Sequence, residues 1–147
     1  MVFRRLQRSL AIIGFGLTIG GCTTTATTDS SDPLTGTDWQ LVQIMSMDDS
    51  VYTPDNPARY TLSFQPEGQL QVQADCNRGQ GSWTFTPPSK LEFGPLALTR
   101  MLCPPQSLSD RLVGNFEYVR SFVIENGHLF LATMADGAIL EFEPLMP

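Results

Sequence analysis

The chain has 147 residues, of which 9 are Lys or Arg and 15 are Asp or Glu, a net charge of −6. Arg4, Arg5 and Arg8 crowd the first eight positions, so the remainder carries six cations (Arg59, Arg78, Lys90, Arg100, Arg111 and Arg120) against fifteen acids, a net of −9. A domain this acidic excludes nucleic acid as an expected partner, and its length allows one modest core and not two.

Behind the three arginines an apolar run extends from Leu10 to Ile19. It is too short to cross a hydrocarbon layer of ~30 Å as a helix. A basic start followed by a short apolar stretch is the pattern of a secretory signal peptide, here over residues 1–21. The run ends in Ile19-Gly20-Gly21-Cys22, which resembles a bacterial lipobox. That resemblance implies a diacylated Cys22 as the first residue of the exported protein. With an N-acyl group added, the anchor exceeds the two-signal threshold for stable membrane attachment. Thr23 follows Cys22 where an Asp would signal inner-membrane retention, so the expected location is the outer membrane, with the domain in the periplasm. Residues 22–33 are rich in Thr and Ser with no apolar side chain larger than Ala, and read as a flexible tether.

The folded domain is expected over residues 34–147. Thr37 to Ile44 alternates around Trp39 and Leu41 and predicts a first strand. Met45 to Pro57 is polar and reads as a long loop. Tyr60, Leu62 and Phe64 alternate with polar residues, Pro66-Glu67-Gly68 signals a turn, and Leu70, Val72 and Ala74 return as the second arm of a hairpin. Gly79-Gln80-Gly81 suggests a tight reversal into Ser82 to Phe85. Pro87-Pro88 ends that strand, Lys90 to Phe93 starts a short one, and Gly94-Pro95 interrupts again before Leu96 to Met101. Then the period changes. Leu108, Leu112, Phe116 and Val119 recur at helical spacing, with Ser107 or Ser109 as N-cap. Strand returns at Ser121 to Glu125, Asn126-Gly127 predicts a type I′ hairpin, His128 to Thr133 pairs back, and Asp136-Gly137 turns into Ala138 to Phe142. About eight or nine short antiparallel strands and one late helix point to a closed or nearly closed barrel, since closure removes exposed edges.

Cys76 and Cys103 form an even pair once Cys22 is lipidated, and in an oxidising compartment that favours a disulfide. The alternative is two free or metal-binding thiols. Zinc would need two further ligands, and the chain has one histidine and no CxxC, so no metal or cofactor is expected. Asn77, Arg78, Thr99 and Arg100 flank these cysteines. They read either as a small anion-binding patch with two guanidinium donors, or as structural residues, with Asn77 satisfying backbone groups and the arginines pairing with acids. His128 is expected on the surface beside its turn. Glu141 and Glu143 are expected on a solvated strand face. No serine sits in a nucleophile elbow, so no catalytic residue is assigned. The aromatic residues Trp39, Tyr60, Phe64, Trp83, Phe85, Phe93 and Phe116 are expected in the core, the alternative being that a minority line a barrel mouth that takes an apolar ligand.

Gly36-Thr37-Asp38-Trp39-Gln40-Leu41, Cys76-Asn77-Arg78, Thr99-Arg100-Met101 with Cys103-Pro104, and the closing hairpins from Gly127-His128-Leu129 to Phe142 resemble the META domain family, which includes heat-shock lipoproteins of the HslJ type. The resemblance covers residues 34–143. Asp75 stands where the family usually has Gly, and Gly79 where an aromatic is common. It implies a lipocalin-like antiparallel β-barrel of about eight strands with one helix, in an envelope lipoprotein linked to stress tolerance and antibiotic resistance. It carries no catalytic residues. The function expected is therefore a non-enzymatic, monomeric envelope lipoprotein. A lipocalin-like carrier of an apolar ligand, or an inhibitor of a lysozyme-like hydrolase, are the alternatives.

Overall fold

A computed structural model describes residues 31–145, so the expected signal peptide, the lipid-bearing Cys22 and most of the tether lie outside the described residues. The elements in chain order are β1 (Thr37–Ser46), β2 (Val51–Tyr52), β3 (Tyr60–Gln65), β4 (Gln69–Ala74), β5 (Asn77–Thr86), β6 (Lys90–Phe93), β7 (Ala97–Leu98), α1 (Ser109–Phe116), β8 (Val119–Glu125), β9 (His128–Thr133) and β10 (Ala138–Pro144). Eight antiparallel strands run in the order β10-β9-β8-β6-β5-β4-β3-β1, and pairing of β1 with β10 closes them into the expected barrel. Two long strands change partners along one edge. β1 pairs with β3 and then with β2, whereas β5 pairs with β7 and then with β6.

Alternation sends one side chain of each pair inward. Tyr60, Leu62 and Phe64 of β3, Leu70 and Val72 of β4, Leu129 and Leu131 of β9, and Leu140 and Phe142 of β10 are all buried. Burying side chains of this kind contributes about 1.5–3 kcal/mol each. The aromatic residues fill the barrel: Phe64 meets Trp83 edge-on at 5.2 Å between ring centroids, and Phe93 meets Phe116 at 5.3 Å. Of the seven expected core aromatics, five are buried and Phe85 and Phe93 pack against that core. An eight-stranded barrel has an interior just wide enough for such side chains.

Asn126 and Gly127 take the positive φ values (52° and 82°) that a type I′ turn needs, as expected. Other local readings are corrected. β5 runs unbroken through Gly79 and Gly81, and the reversal occurs earlier in the chain, at Asp75-Cys76. The glycines answer a packing demand. A Cβ on Gly79 would stand 2.2 Å from the Ala97 carbonyl oxygen, and one on Gly81 would stand 2.5 Å from Leu96 Cδ2. The loop expected over 45–57 contains the short strand β2, and the strand expected over 96–101 contracts to Ala97–Leu98. The helix is shorter than its periodicity suggests, because Val119 is taken into β8 opposite Thr133. Leu108 occupies the N-cap position without a side-chain cap; the Ser107 hydroxyl accepts the Ser109 N–H instead.

Candidate functional site

Asp75 opens the two-residue turn between β4 and β5 with φ +59°, at the position where glycine is ordinarily favoured. An aspartate tolerates this conformation better than most residues. Its carboxylate, 4% exposed, is held in an ion pair by Arg59, and its N–H donates to the Arg59 carbonyl at 2.7 Å. The departure from Gly therefore keeps the turn and adds an anchor to the residue before β3.

Cys76 completes the turn and is bonded to Cys103, with the two Cα atoms 5.6 Å apart. The bridge ties the β4–β5 turn to the segment that leads from β7 into α1. Asn77 reinforces it. Its Oδ1 accepts from Met101 N–H at 2.7 Å and from the Thr99 hydroxyl at 3.1 Å. Its Nδ2 faces the Met101 carbonyl at 3.2 Å, and Cys103 Sγ and Ser109 Oγ at 3.3 Å each. Because Met101 N–H can only donate, the orientation of the amide is determined by its network. Thr99 is bound twice more to the backbone of Arg78, through its hydroxyl and through its N–H.

The four flanking polar residues thus separate into two kinds. Asn77 and Thr99 hold the chain together, while the side chains of Arg78 and Arg100 are exposed and form no ion pair among the described residues. The arginines also diverge. Arg78 lines a shallow depression of about 630 Å3 on the outside of the sheet with Thr61, Ser63, Gln71, Gln73 and Gln80. Arg100 borders an open cleft of about 1140 Å3. Expected ion pairing of these arginines with acids is absent among the described residues; Arg59 does pair, with Asp75.

β6 and β8 share one paired position, Lys90 opposite Ser121, and the cleft opens past the far end of β6, at Phe93 and Gly94. One wall is the segment from Phe93 to Leu102, and the other is α1 with Ser109, Asp110, Val113, Gly114 and Phe116, extended by its C-cap Glu117. The helix is secured at this end by Leu108 N–H donating to the Tyr60 hydroxyl at 3.1 Å, by the Asn77–Ser109 bond, and by Leu112 and Phe116 in the core. Met101 is 63% exposed and Leu102 fully exposed beside the cleft. Sequence reasoning missed the cleft and the partnering roles of Ser109 and Tyr60, because each depends on which distant strand its element meets.

His128, at the start of β9, is not an isolated surface residue. Its Nδ1 is 2.8 Å from Glu141 Oε1, and its ring stacks on Phe130. The two acids expected on a solvated face are likewise engaged and half-buried: Glu141 also accepts from Gln43 Nε2, and Glu143 from Gln40 Nε2, each at 2.7 Å. The two carboxylates serve the β1–β10 closure. Among the described residues, no three His, Cys, Asp or Glu side chains converge as a metal site.

Solved structures share this barrel. A protein from Burkholderia xenovorans, determined by NMR, superposes with a TM-score of 0.66 at 20% identity, covering 78% of this chain and 85% of its own. A DUF4847 family protein from Bacteroides vulgatus gives a TM-score of 0.57 at 10% identity over 76% of this chain and 94% of its own. A further NMR structure gives 0.53 at 23% identity over 72% and 87%. These likenesses establish the fold alone. Comparison with curated proteins gives no match. The META domain family model matches residues 32–146, the whole barrel with its disulfide turn and α1, and the chain belongs to the META domain family.

Proposed function

We propose that this protein is a bacterial envelope lipoprotein of META type, tethered through acylated Cys22, that acts by binding and not by catalysis in an accessory role in stress tolerance. The observation that carries the reading is the Cys76–Cys103 bond at the β4–β5 turn, since such crosslinks persist in oxidising compartments. It agrees with the basic, apolar and Gly-Gly-Cys order of the first 22 residues. Binding is favoured over catalysis because the single histidine is taken up by Glu141 and by Phe130. Aromatic side chains crowd the barrel interior, so a carrier function would have to use the cleft beside α1.

The test is a non-reducing intact mass on protein extracted from membranes. Expected is a chain beginning at Cys22 with diacylglycerol and an N-acyl group, less the two thiol hydrogens of Cys76 and Cys103. A chain beginning at Met1, or one with free thiols at both positions, refutes the proposal.

A further inference from the structure

We infer that the outer edge of β7 accepts an extended peptide segment of a partner protein as an added strand, lying in the cleft against α1. β7 pairs with β5 on one side only. Thr99 N–H donates to the Arg78 carbonyl, and Ala97 stands opposite Gln80. Antiparallel alternation then sends the N–H and C=O groups of Leu96 and Leu98 the other way, away from β5. Among the described residues no backbone or side-chain group is paired with them on that side. Most strands of this barrel are paired along both edges, whereas β7 leaves donors and acceptors at strand spacing beside an open cleft.

The surroundings specify the occupant. Phe93, Met101, Leu102 and Val113 supply apolar surface, which alone would suit a lipid tail as well. The unpaired backbone groups would be left without partners by a lipid and are satisfied by an extended peptide. Arg100 stands at the rim with no ion pair, so the peptide carries a carboxylate at that end. Asp110 on α1 and Glu117 just past its end disfavour acids along the other wall. In an antiparallel pairing of Leu96 with Leu98 of a second copy, Arg100 would stand opposite Gly94 without a carboxylate, which argues for a different protein. This inference is independent of the anchoring through Cys22.

The experiment uses the full chain in detergent micelles and a fluorescent pool of blocked heptapeptides with alternating Val, Leu and Thr and a C-terminal Glu. A matched pool has alternate backbone amides N-methylated. Saturable binding of the first pool is expected, with slowed hydrogen exchange at the Leu96 and Leu98 amides, and the N-methylated pool should fail. Arg100→Ala should raise Kd about tenfold, the worth of one charge-assisted hydrogen bond. A Cβ on Gly114 meets nothing within 4 Å, so Gly114→Leu occupies the cleft without a backbone clash. It should abolish binding while leaving the melting temperature the same or higher, since glycine is a poor helix former. Equal binding of both pools would overturn the inference in favour of an apolar-ligand groove. Concentration-dependent protection of the Leu96 and Leu98 amides without peptide would overturn it in favour of self-association, and no binding by either pool would overturn it outright.

Discussion

Replacing Asn77 by alanine should be among the most damaging single changes in this barrel outside the apolar core. The side chain is 7% exposed and meets five partners, but Nδ2 has only two hydrogens for three acceptors. Four full-strength bonds are therefore the maximum. At a net of about 0.5–1.5 kcal/mol each they sum to roughly 2–6 kcal/mol, reduced where water replaces the lost partner. Water can reach exposed Met101 and Thr99, whereas Ser109 is 3% exposed and stays dry. We therefore expect about 2–4 kcal/mol, set against a total stability of about 5–15 kcal/mol for a domain of this kind. Urea denaturation under oxidising conditions measures it, with the disulfide confirmed in both proteins by mass. Hydrogen exchange at Met101 should quicken in the folded state, because its N–H donates to Asn77 Oδ1. A midpoint shift worth less than about 1 kcal/mol, with Met101 exchange unaltered, would show that the disulfide alone positions the segment and that the hub has no energetic role.

Replacing both Cys76 and Cys103 by serine opens a loop of 27 residues and should cost about 3.5 kcal/mol by chain entropy; an unaltered urea midpoint would refute this. Gly79→Ala forces a Cβ to 2.2 Å from the Ala97 carbonyl, so a loss of about 1–3 kcal/mol is expected, with amide shifts concentrated over residues 95–99. A neutral Gly79→Ala would mean that β7 does not press on β5. The hydrogen bond from Lys90, and then its charge, hold the Glu92 carboxyl below its ordinary value. A lowered folded value contributes stability above the unfolded value that is lost as pH falls through the folded one. Lys90→Ala should therefore raise the Glu92 titration midpoint followed by carboxyl 13C shifts, and no movement would remove Lys90 as the cause.

Much of the barrel was legible because its causes are local. Period-two alternation in Tyr60–Phe64 and Leu70–Ala74 requires one wet and one dry face, and Asn126-Gly127 supplies the positive φ values of its turn wherever it occurs. The cysteine pair and the motifs around it also marked the place where the sheet, the crossing segment and α1 are joined.

What stayed hidden depends on chain remote in sequence. Two nearby glycines look like a reversal when only local conformational freedom is weighed, but Gly79 and Gly81 lack side chains because residues 95–98 press on their inner face. Arg78 and Arg100 look like one patch, because both flank linked cysteines. The pairing of Arg78 with Thr99 leaves them at two different depressions. Glu141 reads as solvated until β1 and β10 close and bring Gln43 to it across 98 positions of sequence. Local order follows from steric and solvation preferences that each residue carries with it. The cleft, the free edge of β7 and the fate of each charge were decided only by which strands met, since a contact between distant residues is a property of the closed barrel and not of either segment.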